Sequence, residues 1–309
     1  MAKAKEITGL DCAADALLWA TEVLRVRSEE VVSLREAALD FSDIEGVHAM
    51  RVATRRLRSA LRDFLPLMEK RAIRRMKKDL KQLADALGSV RDQDVAILAL
   101  EKLQSGTRSK QIKDGLETLL RERRGLRELA RVNLTEILTV NHLEKLHEDF
   151  RLAVDRAFKK NKRGGADSFN EIGRKVVAAS LEEMYALGLS LYHPNDIEEI
   201  HELRIAAKRL RYAVELFMAC WGEKIAPFAG EIAGMQSFLG EIHDCDVWIE
   251  SLGKRLRKNA NDSPEEYQAA VWLMSEYVRE RTKNYRAALK LWGKWQADNF
   301  MERMRTMIA

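Results

Sequence analysis

The residues of this chain best suited to chemistry lie between Val47 and Phe64, where one histidine and four arginines recur at positions 48, 51, 55, 58 and 62. Steps of three and four residues, at about 100° per residue, stack His48, Arg51, Arg55, Arg58 and Arg62 along one side of an α-helix. Met50, Ala53, Leu57, Ala60, Leu61 and Phe64 fall on another side and form an apolar face. A solvated face ordinarily interleaves acids with bases, because unlike pairs at i,i+4 stabilise a helix and like pairs destabilise it. A row of one sign therefore asks for an anion. Arginine forks suit phosphate oxygens, which they hold bidentately while remaining charged. The competing interpretation is a set of structural ion pairs with acids on neighbouring helices.

Composition sharpens the first interpretation. The 309 residues carry 53 Lys or Arg against 48 Asp or Glu, a net charge of only +5. Between His48 and Lys81, however, twelve basic residues face three acids, Asp63, Glu69 and Asp79. That local surplus exceeds the charge of the whole chain and points to a polyanionic partner. The 46% apolar content suffices for a sizeable core. No P-loop, no GxGxxG after a strand, no HExxH and no GxSxG occurs, and Cys12, Cys220 and Cys245 lack the CxxC spacing of a zinc ribbon. No secretory h-region and no run of eighteen apolar residues is present, so a soluble cytoplasmic protein with no membrane partner is expected.

The elements that must position these residues are helical. The prolines, at 66, 194, 227 and 264, and the glycines separate long stretches of helical period, with no strand alternation. Helices are predicted at 7–40, 44–64, 68–87, 92–104, 108–136 and 141–160. A charged linker with two adjacent glycines follows at 159–168. Further helices are predicted at 168–188, 197–219, 224–239, 244–258 and 264–303.

The two series repeat one another. Ile44 to Phe64 aligns without a gap on Ile197 to Phe217, and ten of the 21 positions are identical. The stripe of His48, Arg51, Arg55 and Arg58 recurs as His201, Arg204, Lys208 and Arg211. Further on, LGSVRDQDV at 87–95 matches LGEIHDCDV at 239–247. The expected architecture is a single all-α domain over 1–309, with internal repeats at 7–160 and 168–303. Each repeat is read as a four-helix bundle, the two related by a pseudo-twofold axis, with a basic groove between or along them.

Other groups admit two interpretations each. Arg56 and Arg209 lie about 80° from their histidines on the helical wheel and either flank the groove or pair with an acid. Asp92-Gln93-Asp94 and Asp244-Cys245-Asp246 invite a metal or phosphohydrolase interpretation. Each follows Leu-Gly, however, so capping a new helix, or orienting a stripe arginine, is the favoured role. His48 and His201 serve better as phosphate donors or at the helix start than as metal ligands, because cationic neighbours repel a divalent ion. Arg279, Lys283, Arg286, Lys290 and Lys294 form a third basic row, echoed by Arg124, Arg127 and Arg131; Lys283 and Arg286 are candidates to line the groove. Trp272, Val278, Leu289 and Trp292 read as the core side of that helix, and the six tryptophans as core or interface anchors.

The pattern HxxRVAxRRLRxxLxxF, followed about twenty residues later by LGxVRDxDV, with both elements repeated, resembles the CHAD family, the conserved-histidine α-helical domain, over nearly the whole chain. The resemblance implies a compact helical fold of two four-helix bundles with a basic central groove, and a binding module for inorganic polyphosphate. It carries the anion-binding role to His48, Arg51, Arg55 and Arg58, and to His201, Arg204, Lys208 and Arg211. No ExExK triad occurs, so the triphosphate-processing CYTH partner found fused to some members is absent from this chain. One departure is asymmetry. The first half adds Arg71, Arg74, Lys78 and Lys81 on its next helix, whereas the counterpart at 223–240 has only Lys224.

The expected function is thus polyphosphate binding by the two basic stripes together with Arg62, Arg74, Lys78 and Lys81, with association to polyphosphate granules. No catalytic residue, metal or cofactor is expected. The alternatives are a nucleic-acid binder, disfavoured because Phe64 is on the core side and Tyr212 is the only aromatic exception, and a metal-dependent phosphohydrolase using the Asp-x-Asp triads. A third alternative is a scaffold that carries another protein to the granules. If the anion lies between the halves, the Val47 to Lys81 side is expected to hold it more tightly.

Overall fold

In a computed structural model the described residues are 5, 7–69, 71, 73–159, 167–258 and 263–309, and among them helices account for the regular structure. In chain order these are α1 (Ala16–Ser33), α2 (Arg35–Leu39), α3 (Ile44–Asp63), α4 (Arg74–Gly106), α5 (Lys110–Ile137), α6 (Val140–Lys159), α7 (Phe169–Leu187), α8 (Ile197–Phe217), α9 (Ala226–Lys258), α10 (Pro264–Ala297) and α11 (Phe300–Ile308). The all-α expectation holds. Most of the predicted linker at 159–168 lies outside the described residues.

The chain forms two compact units, Met1–Leu103 with Leu120–Ile172, and Gln104–Leu119 with Gly173–Ala309. The second unit therefore includes the first turns of α5, which the sequence repeat assigns to the first half. The cause is a close backbone approach: a Cβ on Gly115 would sit 2.3 Å from the Glu265 carbonyl oxygen at the start of α10.

Local chemistry sets the two helices that carry the stripes. Asp43 caps α3 by accepting from the Glu45 N–H at 2.9 Å, and Asp196 caps α8 by accepting from the Glu199 N–H at 3.1 Å. Each cap stands five residues before its histidine, so each histidine begins the second turn. The apolar face of α3 is buried as its spacing requires: Met50, Ala53, Leu57, Ala60, Leu61 and Phe64 are all in the core. Gly46 lets α3 cross α2 at contact distance, since a Cβ there would lie 1.8 Å from the Ala37 carbonyl oxygen. The Phe64 ring meets Phe169 with centroids 6.1 Å apart. In the second unit Phe217 is fully buried, and Trp295 stacks on Phe300 at 4.2 Å while its indole N–H donates to Glu231 at 2.7 Å. Trp292 is core as expected, but Val278 is exposed.

Helix boundaries differ from the expectation in one place that bears on function. The segments predicted at 68–87 and 92–104 are one 33-residue helix, and so are those at 224–239 and 244–258. Gly88 and Gly240 do not break these helices. A single interior glycine costs about 1 kcal/mol, and the run of Leu80, Leu83, Leu87, Val90 and Ile97 buries an apolar stripe that continues straight through. Asp92, Asp94, Asp244 and Asp246 are therefore mid-helix residues, and none of them caps a helix. The helix predicted at 264–303 instead ends at Ala297, where Asn299 adopts φ 50° and starts α11.

Candidate functional site

In the first unit the polar side of α3 opens onto one face of α4. Arg51, Arg55 and Arg58 from α3, with Ala84, Asp85, Gly88, Ser89 and Asp92 from α4, line an open cleft of about 330 Å³. The α4 side is low because its residues are small; even a Cβ added to Gly88 would stand 3.9 Å from the Arg51 Nε. Asp92 takes the second role expected of it and orients a stripe arginine, its Oδ1 lying 3.5 Å from Arg51 Nη2. Arg58 is exposed and Arg51 and Arg55 are half-buried, an arrangement that anchors the stems in the fold and brings the guanidinium groups to the cleft.

The row continues beyond the cleft. Arg62 is held by Asp63, with Nη2 2.6 Å and Nε 2.8 Å from Oδ1, so part of its charge is already spoken for. Arg74, Lys78 and Lys81 are exposed and share the face of α4 that bears Asp85 and Asp92, in steps of three or four residues. Lys81 pairs with Asp85 at 3.5 Å. Arg71 is exposed and precedes the helix.

His48 is half-buried at the other end of the row, and its Nδ1 is buried without a hydrogen bond. Burial first, then Arg91, Arg55 and Arg51, push its pKa below the usual imidazole value, against an opposing pull from Glu45. The ring is consequently neutral near pH 7. Arg91 is the neighbour that sequence reasoning missed; it lies 3.6 Å from Glu45 and carries a permanent charge beside the histidine.

In the second unit the same stripe is differently engaged. The Nδ1 atoms of His201 and His243 are 3.1 Å apart, with ring centroids separated by 4.6 Å. Arg211 donates from Nε to Glu215 at 2.8 Å and from Nη1 to Gln236 at 2.5 Å, and its side chain is only 12% exposed. Arg204 and Lys208 are half-buried and raise the positive potential around His243, whose pKa is pushed down to about 4, first by burial and then by Arg204, His201 and Lys208. On α9, Glu241 has its carboxyl pushed up, first by burial and then by Asp244 and Glu280. Gln236 was not singled out from sequence, and His243 stood out there only as the His243-Asp244 dipeptide of a phosphohydrolase reading. Its place in LGEIHDCDV, where LGSVRDQDV has Arg91, is the signal that sets it beside the stripe.

Most of the remaining candidates meet partners within the protein. Arg56 pairs with Glu30 at 3.7 Å and Arg209 pairs with Glu183, which resolves their alternatives in favour of acids. Asp94 is buried and lies 3.8 Å from Arg127, and Asp246 meets Arg281 at 2.6 Å. In the third basic row Lys283 binds Glu280 of its own helix at 2.9 Å, Arg279 pairs with Glu276, and Lys294 reaches Glu231 at 2.9 Å; Arg286 and Lys290 are exposed. Arg124 likewise meets Glu101 at 2.9 Å. Tyr212, the aromatic exception in the second stripe, is buried, as is Phe64. Among the described residues no group of three or more His, Cys, Asp or Glu side chains is arranged to hold a metal ion, and no helix is long and apolar enough to cross a membrane.

The family model for the CHAD domain matches residues 22–253 of this chain. Among solved structures, the crystal structure of the CHAD domain from the plant Ricinus communis superposes with a TM-score of 0.74 at 19% identity, covering 94% of this chain and 96% of that one. PptA from Streptomyces chartreusis superposes with a TM-score of 0.68 at 15% identity, covering 91% of this chain and 100% of that one. At these identities the likeness is one of fold. No curated protein matches the chain.

Proposed function

This chain belongs to the CHAD family, and from that premise we propose that it binds inorganic polyphosphate, with the cleft between α3 and α4 as the principal contact. The observation that carries the proposal is the lining of that cleft: Arg51, Arg55 and Arg58 converge on one open space whose opposite wall is Ala84, Gly88 and Ser89 with Asp85 and Asp92, carboxylates that pair with Lys81 and Arg51. A linear chain of phosphates offers repeated oxygens and no base edges. Arginine forks spaced by one helical turn, about 5.4 Å, match such a ligand without reading anything else. Arg62, Arg74, Lys78 and Lys81 extend the positive track. His48, kept neutral by burial and by Arg91, serves as a hydrogen-bond partner at its end. The stripe His201, Arg204, Lys208 and Arg211 is a second contact of lower strength, and Lys283 and Arg286 are its outermost members. Association with polyphosphate granules in the cytoplasm follows from the same binding.

Two features favour binding over catalysis. Asp92, Asp94 and Asp246 each face an arginine, so these members of the Asp-x-Asp motifs stabilise cations of the protein itself. A phosphohydrolase of the metal-dependent kind uses carboxylates to gather divalent ions instead. Nucleic acid is the weaker ligand on this reading, because Phe64 and Tyr212 are buried and neither stripe offers a stacking surface. Long-chain polyphosphate is expected to resist displacement by RNA or DNA at equal phosphate concentration; stoichiometric displacement would refute the assignment. Phosphate release from polyphosphate with Mg²⁺ or Mn²⁺, abolished by Asp92→Ala, would refute the non-catalytic reading.

A further inference from the structure

We propose that anion binding at the second unit is coupled to uptake of a proton by the His201–His243 pair, whereas the first unit carries a fixed charge at the corresponding place. The inference rests on the assignment of polyphosphate as ligand and adds a regulation of that site. It begins from geometry. Two Nδ1 atoms 3.1 Å apart leave room for a single proton between them. Either one neutral ring donates to the other, or one imidazolium donates to a neutral partner; two imidazoliums would set N–H against N–H and part the rings. The pair therefore holds two protons or three, and the third adds one positive charge.

The charges around the pair decide which state prevails. From α8, Arg204, Lys208 and His201 bear on His243. Beside it on α9 stand Asp244 and Glu241, and Glu280 and Lys283 of α10 bear on Glu241. With the face empty, burial and the two α8 cations hold His243 unprotonated at neutral pH. A phosphate chain laid on Arg204 and Lys208 cancels those cations and favours the third proton. The sign follows: a group whose pKa rises on binding takes up a proton, so affinity grows as pH falls from neutral toward the free-state value of about 4 for His243. In the first unit the residue in this motif position is Arg91, already charged at any such pH, so the contribution there is permanent.

The test is calorimetry of long-chain polyphosphate binding near pH 6 in two buffers of different ionisation heat, which counts protons directly. Internal phosphoryl groups of the chain are strong acids and do not titrate there. Wild type is expected to take up more protons per bound chain than His243→Arg or His243→Asn, by about one. The Arg variant should also lose most of the pH dependence of affinity while retaining tight binding at neutral pH. Unchanged proton uptake in both folded variants would overturn the coupling. Absence of polyphosphate binding by wild type would instead overturn the functional assignment, so the two failures are distinguishable. Imidazole ¹⁵N shifts of the ligand-free protein supply an independent check: opposite tautomers on His201 and His243 are expected, and two identical rings would refute the shared proton.

Discussion

The two basic faces arise from one sequence pattern, yet they are committed to different degrees. On α3 the arginines rise into an open cleft walled by Ala84, Gly88 and Ser89, with Asp85 and Asp92 beside them. On α8 the last arginine of the stripe is tied to Glu215 and Gln236, and the helix opposite presents Glu241 where α4 presents Ser89. A charged-group hydrogen bond is worth roughly 1.5–3 kcal/mol, so Arg211, held by Glu215 and Gln236, has less to gain from a ligand than Arg58, its exposed counterpart on α3. Two stripes that look equivalent as strings of residues thus differ in what they have left to offer.

The comparison can be broken most directly by charge reversal. Arg51→Glu with Arg55→Glu should weaken polyphosphate binding by on the order of 100-fold or more, since two contacts of that strength are lost and replaced by repulsion. Far-ultraviolet circular dichroism should stay unchanged. Arg204→Glu with Lys208→Glu should cost about tenfold, a smaller loss because the next cation of that stripe, Arg211, is already held by Glu215 and Gln236. Equal losses from the two double variants would show that the faces are equivalent. The number of released ions, read from the slope of log affinity against log salt concentration, should fall more for the α3 variant than for the α8 variant.

Two smaller changes sharpen the contrast without altering charge. Gly88→Leu fills the cleft wall opposite Arg51 and should reduce affinity by roughly three- to tenfold. It should also raise helix stability slightly, because an interior glycine costs about 1 kcal/mol relative to better helix formers. A thermal melt and a binding titration on one sample separate these effects, and a loss of both stability and binding would count against the cleft. Gln236→Ala frees one arm of Arg211 and should strengthen the contribution of the second face by less than about threefold, within the range of one modest hydrogen bond.

Acid stability offers the mildest test. His243 has a folded-state pKa of about 4, below its unfolded value, so the unfolded chain binds more protons. The stability linked to this group is present above about pH 6.5 and is lost as pH falls toward 4. His243→Asn should flatten that limb of the unfolding curve, and an unaltered acid limb would remove His243 as its cause. His48, depressed by burial and by Arg91, should act in the same direction.

Much of this was legible from the chain alone, for identifiable reasons. The period of Met50, Ala53, Leu57, Leu61 and Phe64 fixed the buried side of α3, and the helical pattern placed the starts of both stripe helices at 44 and 197, where the structure shows Asp43 and Asp196 as their caps. The aspartate motifs were misread as helix starts because Leu-Gly looks like a boundary. Packing of α4 and α9 carried the helices through Gly88 and Gly240 and placed Asp92 against Arg51 and Asp246 against Arg281. The third basic row was ambiguous in sequence, and Glu276, Glu280 and Glu231 account for Arg279, Lys283 and Lys294.

Helical period, charge sign and the order of the repeated motifs are local properties, so the sequence by itself determined an all-α chain whose basic residues lie in rows. Some cations meet an acid within one helical turn, as Lys283 meets Glu280, but which of them lines an open space and which histidine touches another depends on residues far along the chain, such as Gln236 for Arg211 and His243 for His201, 25 and 42 positions away. Only the packing of α3 on α4 and of α8 on α9 decided that. The free energy of an ion depends on its nearest partners in space, and the distance along the chain does not report them.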